Sequence, residues 1–189
     1  MEIFDYVMVL ASIILGLGIT HLLQGIAGIA QHPGRNKLYW VHLVWVTTTF
    51  FGAIFWWWWE FRLSQTTVWT FQLYLFVLLY AFIIYLNCAL LFPSDLDGYD
   101  GYEDYFYSRR RWLLGIGVAH ALADVADTLL KGWAHFTGLG WTYPAAIAAM
   151  LILFTGGMIT QNRRYHAMVA ILLLAYELVL AFMSFQTVA

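Results

Sequence analysis

The chain has 189 residues, of which 62% are hydrophobic and 11% charged, with a formal net charge of −2 and a mean hydropathy of +0.72. Soluble domains carry roughly half apolar and about a quarter charged residues, so this composition excludes a soluble globular domain and predicts an all-α integral membrane protein. No basic patch of the kind that binds nucleic acid is present. The single cysteine, Cys88, lies in an apolar run and excludes an internal disulfide framework or a thiolate-ligated cluster.

A membrane-spanning helix needs about 20 mostly apolar residues, and six stretches meet that length. The first covers about 6–30. It follows an acidic start, MEIFDY, that lacks the basic region of a secretory signal, so it is expected to be a retained span. The turn around Pro33-Gly34 separates it from the second span, about 38–59, which finishes in four consecutive tryptophans from Trp56 to Trp59. Tryptophan favours the membrane–water boundary, so this cluster is an interfacial anchor. The third span, about 68–92, is stopped by Pro93.

A polar connection, residues 93–111, joins two halves, 1–92 and 112–189. Its acids Asp95, Asp97, Asp100, Glu103 and Asp104 precede three arginines and are interleaved with tyrosines. The start resembles a calcium loop only loosely, because Tyr99 stands where a third ligand belongs. An interfacial segment with tyrosines at headgroup depth suits it better. The fourth, fifth and sixth spans cover about 112–130, 143–160 and 167–185, with a glycine-rich link before the fifth.

Residues 15–29, LGLGITHLLQGIAGI, and 114–128, LGIGVAHALADVADT, share six identities: Leu15/Leu114, Gly16/Gly115, Gly18/Gly117, His21/His120, Leu23/Leu122 and Ala27/Ala126. Three spans per half is an odd number, so a duplication would place the halves upside down relative to one another. Inverted three-helix repeats recur among transporters, with the working site near the midplane. The fold expected is therefore six transmembrane helices as two inverted three-helix repeats.

Basic residues set the orientation. With the N-terminus outside, Arg35, Lys37, Arg109, Arg110, Arg111, Arg163 and Arg164 face the cytoplasm, and only Arg62 and Lys131 face out. This positive-inside bias predicts a bacterial-type inner membrane protein with both termini extracytoplasmic.

His21, His120 and Glu177 fall near mid-depth of their spans and form the expected central polar site, because ionisable groups at that depth normally face a bundle interior or a wet cavity. His120, Asp124 and Asp127 stand at i, i+4 and i+7 on one face of the fourth helix. The matching face of the first span carries His21, Gly25 and Gly28, with Gln24 alongside. Gln24, Asp124 and Asp127 are thus pathway or supporting groups. Gly16, Gly18, Gly25, Gly28, Gly115 and Gly117 are expected at close helix contacts.

These residues predict a channel or transporter for a proton, ion or small polar solute, rather than an enzyme. Two alternatives stay open. One is a redox protein in which membrane histidines ligate haem b, or in which His21, His120, Asp124 and Glu177 supply ligands to a divalent metal. The other is a membrane effector or accessory subunit of a larger assembly. Lipid, a second copy of the chain and possible membrane-protein partners are the expected contacts; nucleic acid is not. Interhelical hydrogen bonding alone also accounts for buried polar groups of this kind, at about 0.6 to 2 kcal/mol each.

Overall fold

A computed structural model describes residues 3–66 and 68–184. The described residues form α1 (Ile3–Gln31), α2 (Trp40–Glu60), a 3-10 turn (Phe61–Gln65), α3 (Phe71–Ala89), α4 (Tyr102–Leu130), α5 (Trp133–Gly138), α6 (Thr142–Ile159) and α7 (Arg163–Ser184). No strand occurs among them. All the helices except the short α5 are long and apolar enough to cross a membrane, and they correspond to the six expected spans. The expected end of the last span at Phe185, and the chain ends beyond residues 3 and 184, lie outside the described residues.

Two boundaries differ from the sequence expectation for physical reasons. Helix α3 stops at Ala89, short of Pro93, and Leu90 to Phe92 leave the helix. Proline disfavours helical geometry in the residue before it. Helix α4 begins at Tyr102, ten residues before the apolar stretch at Trp112. Gly101, at φ +111°, breaks the chain there, and Glu103 and Asp104 lie in the first turn, where the helix dipole favours negative charge. Tyr102, Tyr105 and Phe106 are buried along this extension and pack inside the protein, while Tyr99 and Tyr107 are half-buried.

The link before the fifth span also contains a helical turn, α5. Gly132, at φ +114°, introduces it.

Helix α1 packs chiefly on α3, α4 on α6, and α2 on α7. Helices α3 and α4 join these pairs, and α2 also touches α1, α3 and α4. This pairing is not what an inverted repeat requires. With α1 on α3 in the first half, the equivalent second-half pair is α4 on α7, yet α4 lies against α6.

The glycines explain the difference locally. A Cβ at Gly18 would sit 3.3 Å from Cys88 of α3, and one at Gly25 would run into the Phe92 ring. One at Gly117 would instead press on Phe154 of α6, at 3.0 Å. Gly115 has only Met158 nearby, and Gly16 and Gly28 face open space.

Candidate functional site

Backbone carbonyls that leave regular structure and are taken out of water need partners. Three side chains from three other helices supply them for Leu90 to Phe92, the segment that follows α3. The Tyr105 hydroxyl donates to the Leu90 carbonyl at 2.6 Å, His42 Nε2 to Leu91 at 2.6 Å, and His21 Nε2 to Phe92 at 2.8 Å. Because a carbonyl only accepts, both imidazoles carry their proton on Nε2. His21 thus holds the segment that leaves α3, and its position after Gly18 follows from the close approach of α1 to that helix.

The ionisable groups that do meet lie at the opposite end of the bundle, where α2 ends and α4 ends. Lys131, the residue that closes α4, places Nζ 2.9 Å from Glu60 Oε1 and 2.5 Å from Asp127 Oδ2. The three side chains are only 5%, 1% and 6% exposed, respectively. Helix C-termini carry partial negative charge, which favours the lysine and disfavours the glutamate. Burial works against the Lys131 ammonium, but Glu60 and Asp127 outweigh it and hold its pKa above the ordinary lysine value. Only one oxygen of Glu60 is paired; Oε2 is buried with no hydrogen-bond partner.

One turn deeper on α4, Asp124 accepts a hydrogen bond from Tyr143 of α6 at 2.8 Å and a longer one from Tyr80 of α3 at 3.4 Å. The Tyr143 hydroxyl also lies 3.0 Å from Thr128 Oγ1. His120 comes next, its Nδ1 3.2 Å from the Asn87 amide nitrogen and its ring edge-on to Tyr80. The amide nitrogen donates, so Nδ1 accepts and the neutral ring bears its proton on Nε2. His120, Asp124 and Asp127 therefore form a polar row along one face of α4, completed by groups from α2, α3 and α6.

A half-open cavity of about 370 Å³ is lined by Arg62, Gln65, Thr66, Val68 and Lys131. Lys131 borders both the cavity and the buried acids. On nearby α5, His135 is pushed below the ordinary histidine value by burial and by the charges of Arg62 and Lys131. The mouth is therefore basic while the interior is acidic.

No hydrogen bond or ion pair among the described residues joins His21, His120 and Glu177. Glu177 lies on the separate seam between α7 and α2, lodged where α2 has Gly52. A Cβ at that glycine would come within 2.9 Å of Glu177 Oε1, and Glu177 Oε2 is buried without a hydrogen-bond partner. Gln24 is exposed on the outside of α1. Among the described residues, no group of three or more histidine, cysteine or acidic side chains is placed to hold a metal ion, the set His21, His120, Asp124 and Glu177 included.

The acidic connection is tied down within the chain. Lys37 pairs with Asp100 at 2.7 Å, Arg163 with Glu103 at 2.7 Å, and Asp95 Oδ1 accepts from the Asp97 backbone amide.

Sequence reasoning missed Glu60, Lys131, Tyr80, Tyr143 and Asn87 as members of the polar row. A signal for one of them was present: Lys131 stands four residues after Asp127, the spacing of a helical ion pair. Comparison with protein-family models, with curated proteins and with solved structures finds no match to this chain.

Proposed function

We propose that this multi-pass membrane protein is a small channel or transporter for protons or small cations, working through the row His120–Asp124–Asp127–Glu60 beneath the Lys131 mouth. The observation that carries this reading is the charge balance of the row. Three carboxylates and one ammonium are gathered in the bundle, and one Glu60 oxygen is buried without a partner. A purely structural ion pair needs one acid for its lysine. Surplus buried carboxylate is costly unless a proton or cation joins it.

The cytoplasmic side is the arginine-rich end, as the positive-inside rule directs. The mouth then faces the extracytoplasmic side of an inner membrane, with both chain ends on that side. The inverted relation between the halves forms no part of this reading, because the helix pairing does not support it. A second copy of the chain is the preferred lateral partner for the exposed Gln24 face of α1.

Purified protein reconstituted in liposomes tests the proposal. Proton, sodium and potassium fluxes are measured with entrapped dyes under a clamped potential. Glu60→Gln and Asp124→Asn are each expected to lower the flux at least tenfold. Flux that survives both substitutions unchanged overturns the assignment of this row.

A further inference from the structure

Five buried side-chain atoms on α2 have no hydrogen-bond partner: Glu60 Oε2, Trp56 Nε1, Thr48 Oγ1, Trp45 Nε1 and His42 Nδ1. The gap in this series is Gly52, and there α7 inserts Glu177, whose own Oε2 is also buried and unpartnered. Positions 60, 56, 52, 48, 45 and 42 step back by four or three residues, so they share one face of the helix. Native proteins leave few buried polar atoms unpaired, and buried water usually completes those that remain. Of the nine such atoms among the described residues, five lie on this one stripe of α2 and a sixth, Glu177 Oε2, is inserted into it, which points to an ordered file of water.

We infer that this stripe is a transmembrane proton path, running from the Lys131 mouth at Glu60, past Glu177, to His42 at the arginine-rich end. The inference rests on the transport reading above and narrows its substrate to the proton. Glu60 stands 18 positions after His42, a rise of about 27 Å, close to the roughly 30 Å hydrocarbon thickness of a bilayer. The groups also suit the role. Carboxyl and hydroxyl groups each accept one proton and release another, so their protonation is restored after each passage, and His42, whose Nε2–H is held by the Leu91 carbonyl, takes up and releases the proton at Nδ1. The indole N–H groups only donate, and so orient water between them. A hydrated metal cation would have to pass the basic mouth of Arg62 and Lys131, whereas a proton moves by exchange along water.

The test uses full-length protein in liposomes, with variants accepted only when they remain monodisperse and melt within a few degrees of wild type. Thr48→Val and Glu177→Gln keep shape while removing a relay group, and each is expected to cut proton flux at least fivefold. Gly52→Ala, which sets a methyl against the Glu177 carboxyl, serves if either fails to fold.

Independently of flux, pulsed X-ray radiolysis labels side chains beside ordered water. Trp45 is expected to be labelled and lipid-facing Phe82 spared. Proton flux that is lost in Glu60→Gln but kept within twofold in Thr48→Val and Glu177→Gln overturns the α2 path while leaving the acid row as the transport site. Sodium or potassium flux equal to that of protons overturns the proton assignment alone. An unlabelled Trp45 overturns the water file, and absence of any flux in wild type overturns both readings.

Discussion

Lys131 and Glu60, 71 residues apart in sequence, meet at 2.9 Å where the ends of α4 and α2 converge, with both side chains almost completely buried. Asp127 holds the same ammonium from one turn earlier on α4. This contact ties the second and fourth spans together, and its lysine also lines the cavity beside Arg62. Removing the lysine leaves two buried acids without their counter-charge.

Lys131→Met is accordingly expected to destabilise the protein by about 3–5 kcal/mol, the cost of breaking a buried ion pair from one side. Adding Glu60→Gln to that variant should restore part of the loss, because the stranded charge is removed with it. Thermal unfolding in detergent, read as a double-mutant cycle, measures both effects. Additive losses would show that the two residues do not interact.

The same contact gives a pH dependence with a definite sign. The folded-state pKa of Lys131 is raised, so its contribution to stability is fully present below the unfolded lysine value and is lost as pH rises through the folded one. The part of the melting temperature that Lys131 contributes should therefore hold up to the ordinary lysine pKa and fall in the alkaline range above it. In Lys131→Met this alkaline step should disappear. A step of equal size in the variant would assign it to another group.

His21 and Tyr105 hold the carbonyls of Phe92 and Leu90 just after α3, so His21→Ala and Tyr105→Phe should each cost about 1–3 kcal/mol, the penalty of leaving a carbonyl shielded from water unpaired. In folded protein the flux per molecule should match wild type. A His21 variant that folds normally but conducts poorly would return this histidine to the working site.

Gly25 and Gly28 look interchangeable in sequence but not in space. Gly25→Ala drives a methyl into the Phe92 ring and is expected to cost about 1–3 kcal/mol through overpacking. Gly28→Ala meets no neighbour within 4 Å and should be neutral or slightly stabilising, since alanine favours the helix. Thermal melts of the two variants side by side give the comparison. Equal effects would contradict the packing of α1 on α3.

Much of the membrane architecture was legible in the chain alone. Length and apolarity of a segment are local properties, and they are what a bilayer selects, so six spans could be counted and their turns located. The row His120–Asp124–Asp127 was legible for a similar reason, since helical periodicity places i, i+4 and i+7 on one face whatever the surroundings.

The rest depended on which helix lies beside which. His21 repeats His120 in register after the same glycine pair, yet it bonds a carbonyl just beyond α3 while His120 borders Asp124, because α1 and α4 pack on different neighbours. Glu60 stood at the end of an apolar span and Lys131 in a link, and neither carried a local mark of burial. Only packing took both out of water and made them partners. Sequence by itself determined that this chain has helices suited to a membrane and a polar face on the fourth of them. Tertiary structure decided where the charge collects, because burial and pairing are properties of neighbours rather than of any one segment.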